Sequence, residues 1–298
     1  MQYSKLGKSD LEISRIGFGC MSLKGDATEN DTIVKRALEM GINYFDTADL
    51  YDNGENEIKI GNLLKADRQR AVIATKVGNQ WRPDGSGWDW NASKAYIIGA
   101  VEKSLNRLQT DYIDLYQLHG GTIDDPIDET IEAFEQLKAQ GKIRYYGISS
   151  IRPNVIREYV KRSNLVSVMM QYSLLDRRPE EEALRLLKQN HIGVVTRGSV
   201  AQGLLVDKPA KAYLDWSPAE VAQAANAIRS VTGKTDAQAQ TAIRFALQNK
   251  AINSVVVGIR TVEQLEDAAK AGDLSLLSEE EINILQQSAN PKHYTAHR

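Results

Sequence analysis

Short apolar runs rich in β-branched residues recur along the chain, each followed by a longer stretch whose apolar residues fall three and four apart. The runs at 16–19, 42–45, 71–75, 112–118, 143–148, 166–170, 192–196 and 254–257 predict eight buried strands. The stretches at 31–40, 55–65, 93–108, 128–140, 153–161, 180–189, 237–248 and 262–271 predict helices. Thr28 and either Asn91 or Ser93 suit N-caps, while Gly41, Gly141 and Gly193 suit helix stops or strand openings. Strict alternation argues an α/β fold with a parallel sheet and right-handed crossovers. Eight such units close most simply into a (β/α)8 TIM barrel. Ahead of them, 3–6 and 11–14 around Gly7-Lys-Ser-Asp10 predict an N-terminal β-hairpin that caps the barrel bottom. No repeat beyond the βα period and no Pro/Gly linker divides the chain, so residues 1–298 are expected to form one domain. Two insertions, 78–91 and 203–235, are too long for bare connections in a compact barrel.

Composition narrows the function classes. Across 298 residues, 37 Lys+Arg face 39 Asp+Glu, and a net charge of −2 disfavours a nucleic-acid partner. A chain this long buries about three quarters of its unfolded surface and needs no staple. The single cysteine, Cys20, admits no internal disulfide and reads as a small buried apolar residue. His119, His191, His293 and His297 are too scattered for a metal site. His191 is expected to start a strand, and His293 and His297 to sit in a mobile tail. The clusters Asp176-Arg-Arg-Pro-Glu-Glu-Glu182 and Glu279-Glu-Glu281 read as solvated helix starts. Met1–Asp10 holds no apolar signal region, and no run of about eighteen apolar residues occurs, so a cytoplasmic protein without a membrane partner is expected.

In a barrel, residues just past the C-terminal ends of the strands face the active site. Asp46 follows the second strand, with Tyr51 five residues on; Lys76 follows the third and His119 the fourth. Together they make a proton-transfer set. Asp46 would hold Lys76 by an ion pair, and an ammonium beside a phenol favours the phenolate. His119 would hydrogen-bond the tyrosine or the substrate oxygen, and Tyr51 would protonate a developing alkoxide.

The motifs Gly17-Phe-Gly-Cys-Met-Ser22, Phe45-Asp-Thr-Ala-Asp-Leu-Tyr51, Thr75-Lys76, Asp114-Leu-Tyr-Gln-Leu-His119, Gly147-Ile-Ser-Ser150, Gln171-Tyr-Ser173 and Gly203-Leu-Leu205 occur in order over essentially the whole length. In them the chain resembles the aldo-keto reductases, and it looks most similar to the bacterial general aldehyde reductases. The resemblance implies that Asp46, Tyr51, Lys76 and His119 are a catalytic tetrad and that NADPH/NADP+ lies across the mouth as hydride donor. It also puts Gly19, Cys20, Met21 and Asp46 at the cofactor, with Ser149, Ser150 and Gln171 holding the nicotinamide carboxamide. Arg197 replaces the tyrosine that commonly stacks under the nicotinamide, and its planar guanidinium suits the same role. Gly198, Ser199, Val200, Gln202, Gly203 and Leu204 correspond to the loop covering the pyrophosphate. Gly258, Arg260, Gln264 and Asp267 correspond to the adenosine-phosphate end, where a helix N-terminus suits phosphate and Arg260 suits a 2′-phosphate. Ala268 stands where relatives usually carry an asparagine against adenine.

Other patterns are weaker. Gly17-Phe-Gly-Cys-Met-Ser22 has Ser22 in place of the third glycine of a dinucleotide fingerprint. None of the twelve tyrosines is followed four residues later by lysine, which disfavours short-chain dehydrogenase chemistry. Trp81, Trp88 and Trp90 crowd the first insertion, either as an aromatic wall for an apolar aldehyde, with Trp81 touching substrate, or as pins for a long loop. The expected activity is reduction of a small-molecule aldehyde or ketone by a monomer. The rivals are a non-catalytic NADP-binding redox sensor, as in the potassium-channel β subunits, and a sugar or inositol dehydrogenase working oxidatively. The lack of an extra interaction segment on a chain barely longer than the barrel tells against the sensor.

Overall fold

A computed structural model describes residues 1–232 and 238–298. Two antiparallel strands, β1 (Tyr3–Lys5) and β2 (Glu12–Ser14), form the predicted hairpin. Then come β3 (Ile16–Gly19), β4 (Tyr44–Asp46), β5 (Val72–Val77), β6 (Asn79–Trp81), β7 (Trp88–Trp90), β8 (Ile113–Leu118), β9 (Ile143–Ser149), β10 (Ser167–Gln171), β11 (Gly193–Arg197) and β12 (Ile252–Gly258). Eight of these close into a parallel barrel in the order β10-β11-β12-β3-β4-β5-β8-β9. The predicted strands are all present; several begin and end one or two residues later than the apolar runs. Between them run α1 (Ala27–Glu39), α2 (Glu55–Leu64), α3 (Lys94–Leu108), α4 (Ile127–Ala139), α5 (Pro153–Arg162), α6 (Ala183–Gln189), α7 (Pro218–Thr232) and α8 (Gln238–Leu247), and after β12 come α9 (Val262–Asp273) and α10 (Glu279–Ser288).

Most barrel strands are buried on both faces, which is why they read as largely apolar runs. Leu115, Met169, Val195 and Val256 point into the barrel, where Leu6, Leu11 and Ile13 of the hairpin plug the lower end. The plug seats closely: a Cβ on Gly7, whose φ is +55°, would fall 2.4–2.9 Å from backbone atoms of Val166, Gly193 and His191. Only glycine fits there.

Several expectations change. The cap of α1 is Asp26, not Thr28: Asp26 accepts from the Glu29 amide while Glu29 accepts from the Asp26 amide, a reciprocal box. Ser93 rather than Asn91 caps α3. The first insertion is a second hairpin, β6–β7. The second contains α7, which packs on α10; 233–235 of that insertion and Ala237 of the predicted 237–248 helix lie outside the described residues. Asp176 and Arg177 are buried rather than solvated, because Arg178 forks onto Asp176 and Arg177 binds Glu180 and the Ala289 carbonyl. His191 lies in an exposed left-handed turn two residues before β11 rather than in a strand. The tail is fastened: Tyr294 is buried under the Arg178 guanidinium, the Asn154 amide donates to the His297 carbonyl, and Arg298 pairs with Glu181. Among the described residues no helix is long and apolar enough to cross a membrane.

Candidate active site

The four residues singled out at strand ends meet at the C-terminal mouth. Parallel register sets Asp46 beside Ala74 on β5, and Lys76 beside Gln117 on β8. The Lys76 ammonium therefore reaches Asp46 Oδ1 at 2.6 Å and the Thr47 carbonyl at 2.7 Å. Lys76 and Asp46 are both buried, 1% and 4% exposed. Tyr51 opens the turn Tyr51–Gly54, and its ring lies 5.1 Å from the Lys76 ammonium. His119, placed by its amide donating to the Val77 carbonyl at 2.7 Å, meets the Tyr51 ring edge-on at 5.8 Å.

Electrostatics follows from burial and these neighbours. Burial pushes the Asp46 carboxyl up further than Lys76 and Arg197 pull it down. Burial acts downward on Lys76, but Asp46 and Tyr51 outweigh it, and the ammonium is held above its ordinary value. His119 is pulled down to about 3 by burial, then by the cations Lys76 and Arg197, so it is a neutral imidazole at neutral pH. Among the described residues, Asp46 Oδ2, His119 Nδ1, both amide atoms of Gln117 and the indole nitrogen of Trp81 are buried without hydrogen-bond partners. Buried polar atoms are normally paired, so this group marks where a polar ligand fits.

The opposite side of the mouth carries the remaining candidates. The Gln171 amide accepts from Arg197 at 3.1 Å and donates to the Tyr213 hydroxyl at 3.0 Å. Ser150 is buried, with its hydroxyl accepting from the Arg152 amide; Ser149 ends β9. Gly198 packs on Gln171, and Ala201, Gln202 and Gly203 all have positive φ, so the chain turns sharply over this edge. Ser199 is buried, Val200 accepts from the Gly203 amide, and the Leu204 side chain lies in the core, leaving only its backbone to the mouth. Gly19 and Gly258 are register partners, and a Cβ on Gly258 would strike Ser22. Met21 is 56% exposed, whereas the Cys20 thiol is in the core and pushed up by burial. Arg260 is exposed and donates its amide to Gln264 at the start of α9; Asp267 accepts from Gln240; Ala268 faces the core. An anion-sized ligand meets exposed cations and a helix N-terminus here, and the residues fit a nicotinamide dinucleotide.

The three tryptophans divide. Trp90 pins the loop: its indole donates to Asp125, and its ring closes against Gly78, where a Cβ would fall at 2.6 Å. Trp88 is 46% exposed, and only Trp81 has its indole nitrogen buried and unpaired. Gln117 and Tyr213 were not apparent as site residues. The signal for Gln117 was an amide inside the apolar run 112–118; Tyr213 reaches Gln171 over a distance no local pattern carries.

Comparison with known proteins agrees with this geometry. The family model described as "Aldo/keto reductase family" matches residues 15–290. The chain is 51% identical to the uncharacterized oxidoreductase YqkF of Bacillus subtilis over 307 residues, covering all of both chains. It is 34% identical to the NADH-specific methylglyoxal reductase of Escherichia coli over 235 residues, 72% of each chain. The holo form of aldo-keto reductase AKR11C1 from Bacillus halodurans superimposes with a TM-score of 0.94 at 50% identity, covering 100% of this chain and 99% of that one. Barrel, strand-end constellation and matches agree: the chain is an oxidoreductase of the aldo/keto reductase family.

Proposed function

We propose that residues 1–298 form a single-domain, monomeric, cytoplasmic enzyme that reduces aldehydes, and ketones as a second class, at the expense of NADPH. The observation that carries this reading is the buried Lys76–Asp46 pair with Tyr51 above the ammonium and neutral His119 against Tyr51. When bound, the reduced nicotinamide supplies hydride to the carbonyl carbon. Tyr51 donates its phenolic proton to the oxygen as alkoxide develops, and Lys76 stabilises the phenolate left behind. Asp46 keeps Lys76 charged and in place. His119, neutral, orients the carbonyl oxygen by hydrogen bonding, and Trp81 walls the pocket. Gln171, with Ser149 and Ser150, suits the carboxamide of the nicotinamide, Arg197 its ring, and residues 198–204 the pyrophosphate. Gly19, Met21, Gly258, Gln264 and Asp267 would line the rest of the cofactor, with Cys20 contributing its backbone.

The preference for NADPH rests on Arg260, an exposed guanidinium suited to a 2′-phosphate. A relative named NADH-specific makes the alternative concrete. The test measures oxidation of NADPH and of NADH against a panel of aldehydes, ketones and sugars. Faster turnover of an aldehyde with NADPH is expected. A strict NADH requirement would overturn the cofactor assignment, oxidation of sugars alone the direction, and absence of any turnover the enzyme reading in favour of a redox sensor.

A further inference from the structure

Behind Tyr51 and Lys76 lies a set of buried polar side chains that proton transfer does not use. Asn56 and Glu57, in the first turn of α2, are both fully buried. Asn56 donates to the Cys20 carbonyl at 2.9 Å and accepts from the Thr47 hydroxyl at 2.7 Å, joining the ends of β3 and β4. Glu57 accepts from the Thr75 hydroxyl at 2.5 Å and from Arg107 of α3 at 2.6–2.7 Å. Thr75 directly precedes Lys76, and the Thr47 carbonyl accepts from the Lys76 ammonium. Arg107 also lies under Gly54, the end of the Tyr51 turn, where a Cβ would meet the guanidinium and its stem at 2.8–3.2 Å. That turn runs through three consecutive left-handed residues, Asp52, Asn53 and Gly54, and depends on its surroundings to stay so.

A buried carboxylate is expensive and a hydrophobic residue would pack α2 as well, so stability alone does not account for this arrangement. We propose that Asn56 and Glu57 form a positioning bracket: through Thr47 and Thr75 they fix the Lys76 ammonium, and through Arg107 they fix the turn that presents Tyr51. The bracket rests on the reading of Tyr51 as the acid and Lys76 as its partner. Asp49, buried beside the same groups, supports it. Its amide donates to the Lys76 carbonyl at 3.3 Å, and its carboxyl is pushed up to about 8, first by burial and then by neighbouring Glu57.

The test uses the whole protein with NADPH and 4-nitrobenzaldehyde, and compares Thr75→Val, Thr75→Ser and Tyr51→Phe. Thr75→Val removes the hydroxyl at nearly constant shape. It is expected to lower kcat by about tenfold or more, since small misplacements of reacting groups cost up to about a hundredfold, while the aldehyde KM and the NADPH dissociation constant stay within about twofold. Thr75→Ser restores the hydroxyl and most of kcat. A merely structural threonine would lower the melting temperature and leave that split and rescue unseen. A Thr75→Val kcat within about twofold of wild type, with Tyr51→Phe inactive, would overturn the bracket alone. Turnover retained by Tyr51→Phe would overturn the proton-donor reading and the bracket with it. Should Thr75→Val not fold, Glu57→Gln, which leaves an oxygen for Thr75 but removes the charged partner of Arg107, tests the arm of the bracket that holds the Tyr51 turn, and it is expected to show the same split.

Discussion

The two sides of the barrel mouth are built on opposite terms. Around β4, β5 and β8 the charges are buried and paired with one another: Lys76 donates to Asp46 and Thr47, and Glu57 binds Thr75 and Arg107. Around β10, β11 and β12 the polar groups are exposed cations and turn backbone: Arg197, Arg260, and the left-handed stretch from Ala201 to Gly203. One side fixes distances at the cost of desolvating charges. The other leaves its cations solvated where the proposed dinucleotide would enter and leave, so each there would contribute individually and modestly.

Removing one charge from each side of the mouth should have opposite consequences. Lys76→Met leaves Asp46 buried and unpaired, and should cost about 3–5 kcal/mol of folding stability by denaturant titration as well as abolishing turnover. Arg260→Ala, on the open side, should leave stability unchanged and weaken NADPH binding about tenfold, the ~1.5 kcal/mol of a charge-assisted hydrogen bond, with NADH binding unaffected. Equal losses for the two cofactors would remove Arg260 from the 2′-phosphate.

His119 sharpens the contrast through pH. Its folded-state value, about 3, lies below the ordinary 6.5, so the unfolded chain binds the extra proton between these values. The contribution is complete above pH 6.5 and fades as pH falls toward 3, by about 1.4 kcal/mol per pH unit. Wild type should therefore lose stability on acidification more steeply than His119→Gln, and the imidazole should show no NMR titration between pH 5 and 8. The smallest effect separates the tryptophans. Trp81→Ala should raise KM for aromatic aldehydes by about threefold to tenfold, the ~0.5–1.5 kcal/mol of one aromatic contact, whereas Trp90→Phe should lower the melting temperature with KM unchanged.

Much of the barrel was legible because a parallel strand buried on both faces writes itself as an unbroken apolar run, and because site residues fall just beyond those runs. Asp46, Tyr51, Lys76 and His119 could thus be brought together from order alone. α7 escaped because Pro218–Thr232 is diluted with alanine, which blurs the apolar face, and its packing partner α10 is remote in sequence. Asp176 and Arg177 escape a reading from sequence because a run of charges is ordinarily solvated; here arginines neutralise the acids locally, so these two side chains can be buried while Glu181 stays exposed. The Gln171–Tyr213 and Glu57–Thr75 contacts join side chains on separate elements, which no periodicity encodes.

The proposed chemistry turns on Tyr51 as the proton donor of a carbonyl reduction. Its most direct test is the turnover of Tyr51→Phe with NADPH and an aldehyde, measured beside the NADPH dissociation constant by fluorescence titration. With Tyr51 as the donor, cofactor binding stays within about twofold of wild type and kcat falls by about 10²–10⁴-fold. A kcat within about threefold of wild type at undiminished cofactor binding would contradict it.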